Sequence, residues 1–135
     1  MRDDNEIFQV GQKAFIEKDG EVLVLNDPTE GLDYPGGRLQ FGEMDLVEAL
    51  KREVREETSL EIEVMEPFFT SIYEFPAGHN LAGKKVFSVC YKCKYISGDV
   101  TISNEHDNFR WVNKENYHEV DDQSSFFDML KKYYS

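Results

Sequence analysis

The stretch from Leu46 to Thr58 constrains the fold more than any other part of this sequence, because its apolar residues recur at the spacing of an α-helix. Asp45 precedes the stretch and Glu48 lies three positions later, which is the arrangement of a helix-capping box. The pattern therefore predicts a helix that begins at Leu46 and ends at Thr58. At about 100° per residue, one arc of this helix is apolar and is expected to pack against a sheet. The members of that arc are Leu46, Val47, Ala49, Leu50 and Val54.

Three glutamates conflict with this amphipathic pattern. Glu53 and Glu57 fall in the middle of the apolar arc, and Glu56 falls on its border. An ionised carboxylate removed from water without a partner costs on the order of several kcal/mol, and neighbouring carboxylates repel one another. Arginines could neutralise the cluster, with Arg52 placed to pair with Glu56, or hard divalent cations could bind the oxygens. A surface helix with solvated glutamates is the third possibility, and the inward positions argue against it.

The rest of the chain predicts strands on both sides of this helix and a second helix near the end. Alternating runs predict strands over residues 8–17, 22–26, 62–75, 86–96 and 109–112, with an interruption at Pro67, and a helix over residues 124–134. Residues 26–34 are predicted to form an acidic loop, and Pro35-Gly36-Gly37 to break regular structure where the backbone approaches another group closely. Strands interleaved with two helices predict an α/β sandwich with a mixed sheet between the helices.

Length and composition bound the class of protein. With 135 residues, residues 1–135 are predicted to form a single domain whose core needs no disulfide or structural metal. No apolar run approaches the roughly 20 residues that span a membrane, and no secretory signal is visible, so a cytoplasmic location is the expectation. Cys90 and Cys93 lie three apart in a predicted strand and should point to opposite faces, as two ordinary strand cysteines.

The charge balance limits the possible partners. The chain has 15 basic and 27 acidic residues and a formal net charge of −12. This balance argues against binding to nucleic acid or to an anionic membrane surface, since both need a basic patch. An anionic small molecule would need positive charge supplied locally, and a divalent cation bound by carboxylates is the simplest source.

A long motif surrounds the predicted helix: Gly37 is followed by five residues and Glu43, then by eight residues and the run Arg52-Glu53-Val54-Arg55-Glu56-Glu57-Thr58-Ser59-Leu60. This motif resembles the signature of the Nudix hydrolase family, G-x5-E-x7-R-E-U-x-E-E-x-G-U, where U is a bulky aliphatic residue. The preceding Tyr34-Pro35-Gly36-Gly37 is similar to the family's usual lead-in. The order of elements around the signature is also similar, so the resemblance implies a Nudix-type α/β/α sandwich over the whole chain.

The sequence departs from the signature at two positions. One extra residue lies between Glu43 and Arg52, at Met44-Asp45, before the cap of the helix. It leaves the helix register unaffected but bears on the role of Glu43 and the path of the loop. Ser59 stands where the family has glycine in a left-handed conformation, which costs another residue about 1 kcal/mol.

The resemblance implies a reaction and a metal. The reaction is hydrolysis of a nucleoside diphosphate linked to another group, by water attacking phosphorus, with Mg²⁺ or Mn²⁺ as cofactor. Glu56 and Glu57 resemble the family's metal ligands, and the backbone carbonyl of Gly36 completes the set. Glu53 resembles the base or the residue that orients the water, and is a further candidate ligand. Arg52 is expected to orient a glutamate.

Further candidate residues lie outside the helix. Glu105, six positions before Trp111, resembles the family's distant carboxylate and is expected to act as a metal ligand or base. Arg38 is a candidate to bind a phosphate and Tyr34 to stack on a nucleobase. Glu43 is also assigned to substrate binding, and His106, beside Glu105, is the most suggestive of the histidines.

The partner is expected to be a small-molecule nucleotide, and the protein a monomer or homodimer. Mutated nucleoside triphosphates, ADP-ribose, nucleotide sugars and dinucleoside polyphosphates all offer the same pyrophosphate chemistry. Three alternatives stay open from the residues: a non-catalytic Nudix-like nucleotide-binding sensor, a diphosphate-dependent isomerase and a purely structural acidic domain. The last of these leaves the inward glutamates unexplained.

Overall fold

A mixed sheet of seven strands forms the centre of the computed structural model, which describes residues 3–135. The strands are β1 (Gln9–Lys18), β2 (Glu21–Asp27), β3 (Gly31–Asp33), β4 (Gly36–Arg38), β5 (Glu61–Glu74), β6 (Lys85–Ser97) and β7 (Asn108–Val112). Helices α1 (Leu46–Thr58) and α2 (Ser125–Tyr134) and a short 3-10 helix, Tyr117–Val120, complete the described structure. Within residues 3–135 no helix has the length and apolar character needed to cross a membrane.

The strands are ordered β3-β2-β1-β6-β5, with β4 paired to β1 and β7 paired to β2. The β1 and β6 strands are parallel, and the other pairs are antiparallel. The β1 strand pairs with β2 only at Glu17 and Lys18, and with β4 at residues 11–13. The chain from β3 to β4 therefore fills the gap that opens between β1 and β2, and this places Gly36 and Gly37 inside the sheet.

The two helices cover two separate apolar cores, one on each side of the sheet. Leu50 and Val54 of α1 are buried in one core, and Phe127 and Leu130 of α2 are buried in the other. Cys90 and Cys93 divide between the two cores, as expected for strand residues three apart. The predicted sandwich, a mixed sheet between helices, is confirmed.

Most predicted elements match the structure, and two short strands do not. The α1 helix has the predicted bounds, and β5 shows register shifts on both sides of Pro67, where the sequence predicted an interruption. The sequence predicted a loop at residues 31–33 and an interruption of regular structure at the glycines of residues 36–38, but these segments form β3 and β4. Strands of three residues have no alternation that a pattern can detect, so only pairing with β2 and β1 defines them.

The first turn of α1 packs less closely than predicted. Leu46 and Val47, assigned to the packing arc, are 43% and 41% exposed, whereas Ala49, Leu50 and Val54 are buried. The first turn contacts the sheet through the side-chain amide of Gln12, which donates to the Leu46 carbonyl at 3.0 Å. The helix therefore begins at the margin of the core, and its apolar arc is buried only from the second turn onward.

Candidate active site

The ends of α1 are fixed by local hydrogen bonds that the sequence predicted. The Asp45 side chain accepts a hydrogen bond from the Glu48 backbone N–H at 3.1 Å, which caps the first turn. At the other end Ser59 adopts the left-handed conformation, with φ 65° and ψ 15°, and its N–H donates to the Arg55 carbonyl. The cap confirms the predicted start of the helix, and Ser59 occupies the strained position expected of a glycine.

Glu57 is the most deeply buried carboxylate of α1. Its side chain accepts a hydrogen bond from the Gly36 backbone N–H at 3.0 Å, and the residue is 6% exposed. Burial raises the pKa of Glu57 to about 7, although the Gly36 N–H and the Lys13 ammonium oppose the shift. Without a bound cation, the positive charge around Glu57 is therefore too small to keep its carboxylate fully ionised at neutral pH.

Gly36 and Gly37 allow the backbone to lie between β1 and the carboxylates. A Cβ atom at Gly36, where φ is +149°, would lie 2.0 Å from the Gln12 carbonyl oxygen, which no side chain tolerates. A Cβ atom at Gly37 would lie 2.8 Å from the Glu53 carboxyl carbon. The break predicted at these glycines thus corresponds to two close approaches, one to the β1 backbone and one to Glu53.

Arg52 binds three carboxylates on the open side of α1. Its guanidinium donates to both oxygens of Glu43, and to one oxygen each of Glu53 and Glu56, all at 2.9 Å. The hydrogen bonds that Arg52 donates to Glu43, followed by those to Glu53 and Glu56, raise the pKa of Arg52 above its ordinary value. One cation facing three carboxylates leaves a net negative charge, so Arg52 relieves the repulsion only in part.

Glu43 reaches Arg52 despite the extra residue that follows it. The loop before α1 places both Glu43 oxygens on the guanidinium, and Oε1 also accepts the Gln40 N–H at 2.8 Å. The insertion is therefore absorbed before the cap without displacing Glu43. In this structure the carboxylate orients Arg52, and its assignment to substrate binding stays a prediction.

Tyr34 and Arg38 occupy different surroundings. Tyr34 has no exposed surface, its hydroxyl donates to the Phe126 carbonyl at 2.7 Å, and its ring packs on Phe15. The expectation that Tyr34 stacks on a nucleobase is therefore wrong, because the lead-in to the glycines turns this ring into the α2 core. Arg38 is exposed and donates to Gln9 at 2.8 Å, and its role toward a phosphate stays a prediction.

The loop that carries Glu105 runs along the end of α1. The Thr101 and Ser103 N–H groups donate to the carbonyls of Thr58 and Glu57, at 2.9 and 3.2 Å. Glu105 itself is exposed. The fold thus brings a segment nearly fifty positions away beside the glutamates, and the role of Glu105 stays a prediction.

Lys13, Asp33 and His106 form a mostly buried cluster next to Glu57, and of these residues the sequence had singled out only His106. Lys13 Nζ lies 3.0 Å from Asp33 Oδ1, and His106 Nε2 lies 2.9 Å from Asp33 Oδ2. Burial alone would lower the pKa of Lys13 and raise that of Asp33, but the ion pair outweighs burial and shifts both the other way. The available sequence signal for this cluster was Lys13 itself, a charged residue inside the central strand β1. It conflicts with burial in the same way as the glutamates in the apolar arc of α1.

Comparison with known proteins assigns the chain to a protein family. The family model described as the NUDIX domain matches residues 9–132. The chain belongs to the NUDIX family. The predicted enzyme class, a Nudix hydrolase that acts on phosphoric anhydride bonds, is confirmed by this membership and by the similar proteins.

Individual relatives of this Nudix hydrolase support the same assignment. The nucleoside triphosphatase NudI of Klebsiella pneumoniae is 29% identical over 117 residues, which cover 78% of this chain and 82% of the relative. The crystal structure of a MutT protein from Methanosarcina mazei is 26% identical, with a TM-score of 0.75, and covers 93% of this chain and 92% of that one. A NUDIX-family hydrolase from Clostridium perfringens, at 16% identity and a TM-score of 0.76 over 94% and 96% of the two chains, shares the fold.

The residues present fit a divalent metal ion. The carboxylates of Glu57 and Glu53 contact Gly36 and Gly37 of β4, and Mg²⁺ and Mn²⁺ prefer oxygen ligands of this kind. The buried carboxylate of Glu57 has too little positive charge around it. The three carboxylates that Arg52 contacts, those of Glu43, Glu53 and Glu56, keep a net negative charge. A bound cation would relieve both imbalances.

Proposed function

We propose that this Nudix hydrolase cleaves the pyrophosphate bond of a nucleoside diphosphate linked to another group, and that it requires Mg²⁺, for which Mn²⁺ can substitute. The observation that carries the proposal is the pair of α1 carboxylates that contact β4, with Glu57 buried against the Gly36 N–H and Glu53 lying against Gly37. An acidic protein with a net charge of −12 repels a pyrophosphate, so a site for this substrate needs a cation between the two.

Glu56, Glu57 and the Gly36 carbonyl are proposed to hold the metal, with Glu53 or Glu105 as a further ligand. A bound divalent cation neutralises phosphate charge and makes a bound water more acidic. Glu56 is exposed and Glu57 is buried, so the proposed metal lies where the buried end of this carboxylate pair meets solvent.

Glu53 is placed to act on the attacking water. Its carboxylate lies against Gly37 and accepts a hydrogen bond from Arg52 at 2.9 Å, which restricts its orientation. We propose that Glu53 or Glu105 accepts a proton from the attacking water. The water oxygen bonds to phosphorus as the phosphoric anhydride bond breaks, and the bridging oxygen leaves with the other product. A positioned general base contributes about 10²–10⁴-fold to such a reaction.

An apolar row next to the site supports a nucleotide as substrate. Val10 of β1, Phe87 of β6 and Ile72 of β5 are direct neighbours across the sheet, and each is 37% exposed or more. Val10 shares the α1 side of β1 with Gln12, whose register partner is Gly37. Apolar and aromatic surface at about 7 Å along the strand from the glycines suits a nucleobase better than a solvated phosphate.

The substrate class is narrowed by the similar proteins, not decided by them. The Klebsiella pneumoniae relative is named a nucleoside triphosphatase, so nucleoside triphosphates are the first class to test. Residues 26–33 contain no basic residue that could bind the end of a long phosphate chain. Nucleotide sugars, ADP-ribose and dinucleoside polyphosphates are therefore tested in parallel.

The experiment is a phosphate-release screen over these nucleotide classes and inorganic pyrophosphate, with Mg²⁺, Mn²⁺ or EDTA. We expect cleavage of at least one nucleotide class with either metal, none with EDTA, and preference for nucleotides over inorganic pyrophosphate. Glu56→Gln is expected to keep the fold and to lower turnover by about 10² or more. Glu48→Gln, on the exposed side of the same helix, is the matched control and should retain full activity.

Cleavage that persists in EDTA would contradict the metal requirement. Equal turnover of Glu56→Gln and the wild-type protein at saturating Mg²⁺ would remove Glu56 from the site. Failure to cleave any nucleotide class with either metal, combined with measurable nucleotide binding, would favour the non-catalytic sensor.

A further inference from the structure

Lys13, Asp33 and His106 form a chain of buried polar contacts behind the carboxylates of α1. Their side chains are 19%, 13% and 3% exposed, and Asp33 stands between the other two. Asp33 Oδ1 faces the Lys13 ammonium and also accepts the Tyr34 N–H at 2.8 Å, while Oδ2 faces His106 Nε2. Because Asp33 offers only an acceptor, His106 donates from Nε2.

Each member of this chain belongs to a segment that carries part of the candidate site. Lys13 lies opposite Gly36 in the register of β1 and β4. Asp33 ends β3, directly before the turn that leads to Gly36, and His106 directly follows Glu105. The contacts therefore join the central strand β1, the β3 strand that leads into β4, and the Glu105 loop, although Asp33 and His106 are 73 positions apart.

The Glu105 loop is anchored to other segments through the neighbours of Glu105, whose own N–H donates only within the loop, to Ser103 Oγ at 3.4 Å. The Ser103 N–H donates to the Glu57 carbonyl at 3.2 Å, and the Asp107 N–H donates to the Asn26 carbonyl at 3.1 Å. His106 is the loop side chain buried between these two anchor points. An exposed carboxylate next to a buried, hydrogen-bonded histidine has its backbone fixed while its side chain faces solvent.

The residues around Asp33 are poorly suited to binding a metal ion. Ligand atoms of Asp27, Asp33 and His106 lie within 4.8 Å of one another. However, Asp33 already receives the Lys13 ammonium and His106, and Asp27 Oδ1 accepts two backbone N–H groups of its own turn. The buried ammonium both neutralises Asp33 and would repel a cation.

We infer that Lys13, Asp33 and His106 are positioning residues, which fix the Glu105 loop and the start of β4 at Gly36 relative to Glu57, so that the oxygens of Glu105, Gly36 and Glu57 converge. The inference rests on the proposed function, in which those oxygens serve the metal and the attacking water. Lys13 and Asp33 neutralise each other inside the sheet, and the second oxygen of Asp33 then ties down the loop through His106. Partners that orient metal ligands in this way typically contribute about 10–100-fold to metal affinity or activity.

His106→Phe tests this inference, because it removes the hydrogen bond to Asp33 while leaving the Lys13–Asp33 ion pair intact. We expect kcat to fall by about 10–100-fold with KM within about 2-fold, and Mn²⁺ affinity measured calorimetrically to fall. Hydrogen exchange at residues 101–107 should become about 10-fold faster, while exchange in the strands and in α2 stays unchanged. His106→Gln, whose amide can donate to Asp33, should recover part of kcat and of the exchange protection.

His118→Phe is the matched control, since His118 is exposed in the 3-10 helix and takes no part in the Lys13–Asp33–His106 contacts. Unchanged exchange at residues 101–107 in His106→Phe would overturn the inference, as would an equal loss of activity in His118→Phe. Faster exchange spread evenly over both helices would also overturn it, since it would indicate a general role in stability. The exchange and Mn²⁺ measurements need no substrate, so they test the positioning role even where the screen for hydrolysis fails.

Discussion

The two helices of this Nudix hydrolase pack on opposite sides of one sheet and differ in what they bury. The α2 helix buries Phe127, Met129 and Leu130, and its acidic residue, Asp128, has a side chain that is 58% exposed. The α1 helix buries apolar residues too, but it also buries Glu57. Inward acidic residues are therefore not a general feature of how this sequence builds helices.

The difference between the helices separates stability from chemistry. The α2 core consists mainly of aromatic and aliphatic contacts, and the polar contact that Tyr34 makes there is a neutral hydrogen bond to the Phe126 carbonyl. On α1 the free energy of burial is offset by the unfavourable desolvation of a carboxylate. Sequences retain such a conflict mainly where function needs it. Variants on the two helices should therefore change different properties.

The largest expected effect on stability lies on α2. Leu130 is fully buried, so Leu130→Ala should lower the free energy of unfolding by about 2–5 kcal/mol through lost burial and a cavity. The measurement is urea unfolding, together with kcat on the substrate found in the screen, which should be unchanged where the protein is folded. Leu46→Ala on the exposed first turn of α1 is the control and should cost about 1 kcal/mol or less. A selective loss of kcat in Leu130→Ala would break the separation.

The next effect lies on α1 and has the opposite sign. Burial raises the pKa of Glu57 from its ordinary value of 4.5 to about 7, so the folded state binds this proton more tightly than the unfolded state. The stability contributed by this group is present below pH 4.5 and is lost as the pH rises to about 7. In EDTA at pH 8, Glu57→Gln should therefore be about 1–3 kcal/mol more stable than the wild-type protein.

The proposed role of Glu57 as a metal ligand predicts that Mg²⁺ reverses this order. The wild-type protein would gain stability from the bound ion, and Glu57→Gln would gain less because it lacks one of the proposed ligands. Urea unfolding at pH 4.5 and pH 8, with EDTA or Mg²⁺, measures both effects. Asp128→Asn on α2 is the matched control, and it should respond to neither pH nor metal in the same way. A metal-free Glu57→Gln protein less stable than wild type at pH 8 would show that the carboxylate is already compensated.

The smallest effect concerns how α1 ends. Ser59 adopts φ 65°, so Ser59→Gly should raise the free energy of unfolding by about 1 kcal/mol without changing kcat. Gly98 offers the reverse change, since its φ is 107° and a Cβ atom there would lie 2.8 Å from the Ser59 carbonyl oxygen. Gly98→Ala should therefore be destabilising. Thermal unfolding measures both variants, and a lower melting temperature for Ser59→Gly would contradict the strain argument.

The local features of the site were predictable from the sequence. The bounds of α1, the Asp45 cap and the left-handed Ser59 depend on residues within a few positions of one another. The inward position of Glu57 follows from helix periodicity alone. The short strands β3 and β4 were missed, because nothing within three residues distinguishes a strand from a loop.

The sequence by itself determined the helix, its inward carboxylates and the family to which the chain is similar, because each depends on local spacing. The tertiary structure alone decided that Tyr34 lies in the α2 core, and that Arg52 binds Glu43 across an insertion. It also brought His106 to Asp33, 73 positions away, and Lys13 to the same carboxylate. The contacts of Asp33 with Lys13 and His106 depend on how β1 and β2 separate to admit the β3–β4 segment between them, and a contact set by strand separation leaves no periodic trace in the sequence.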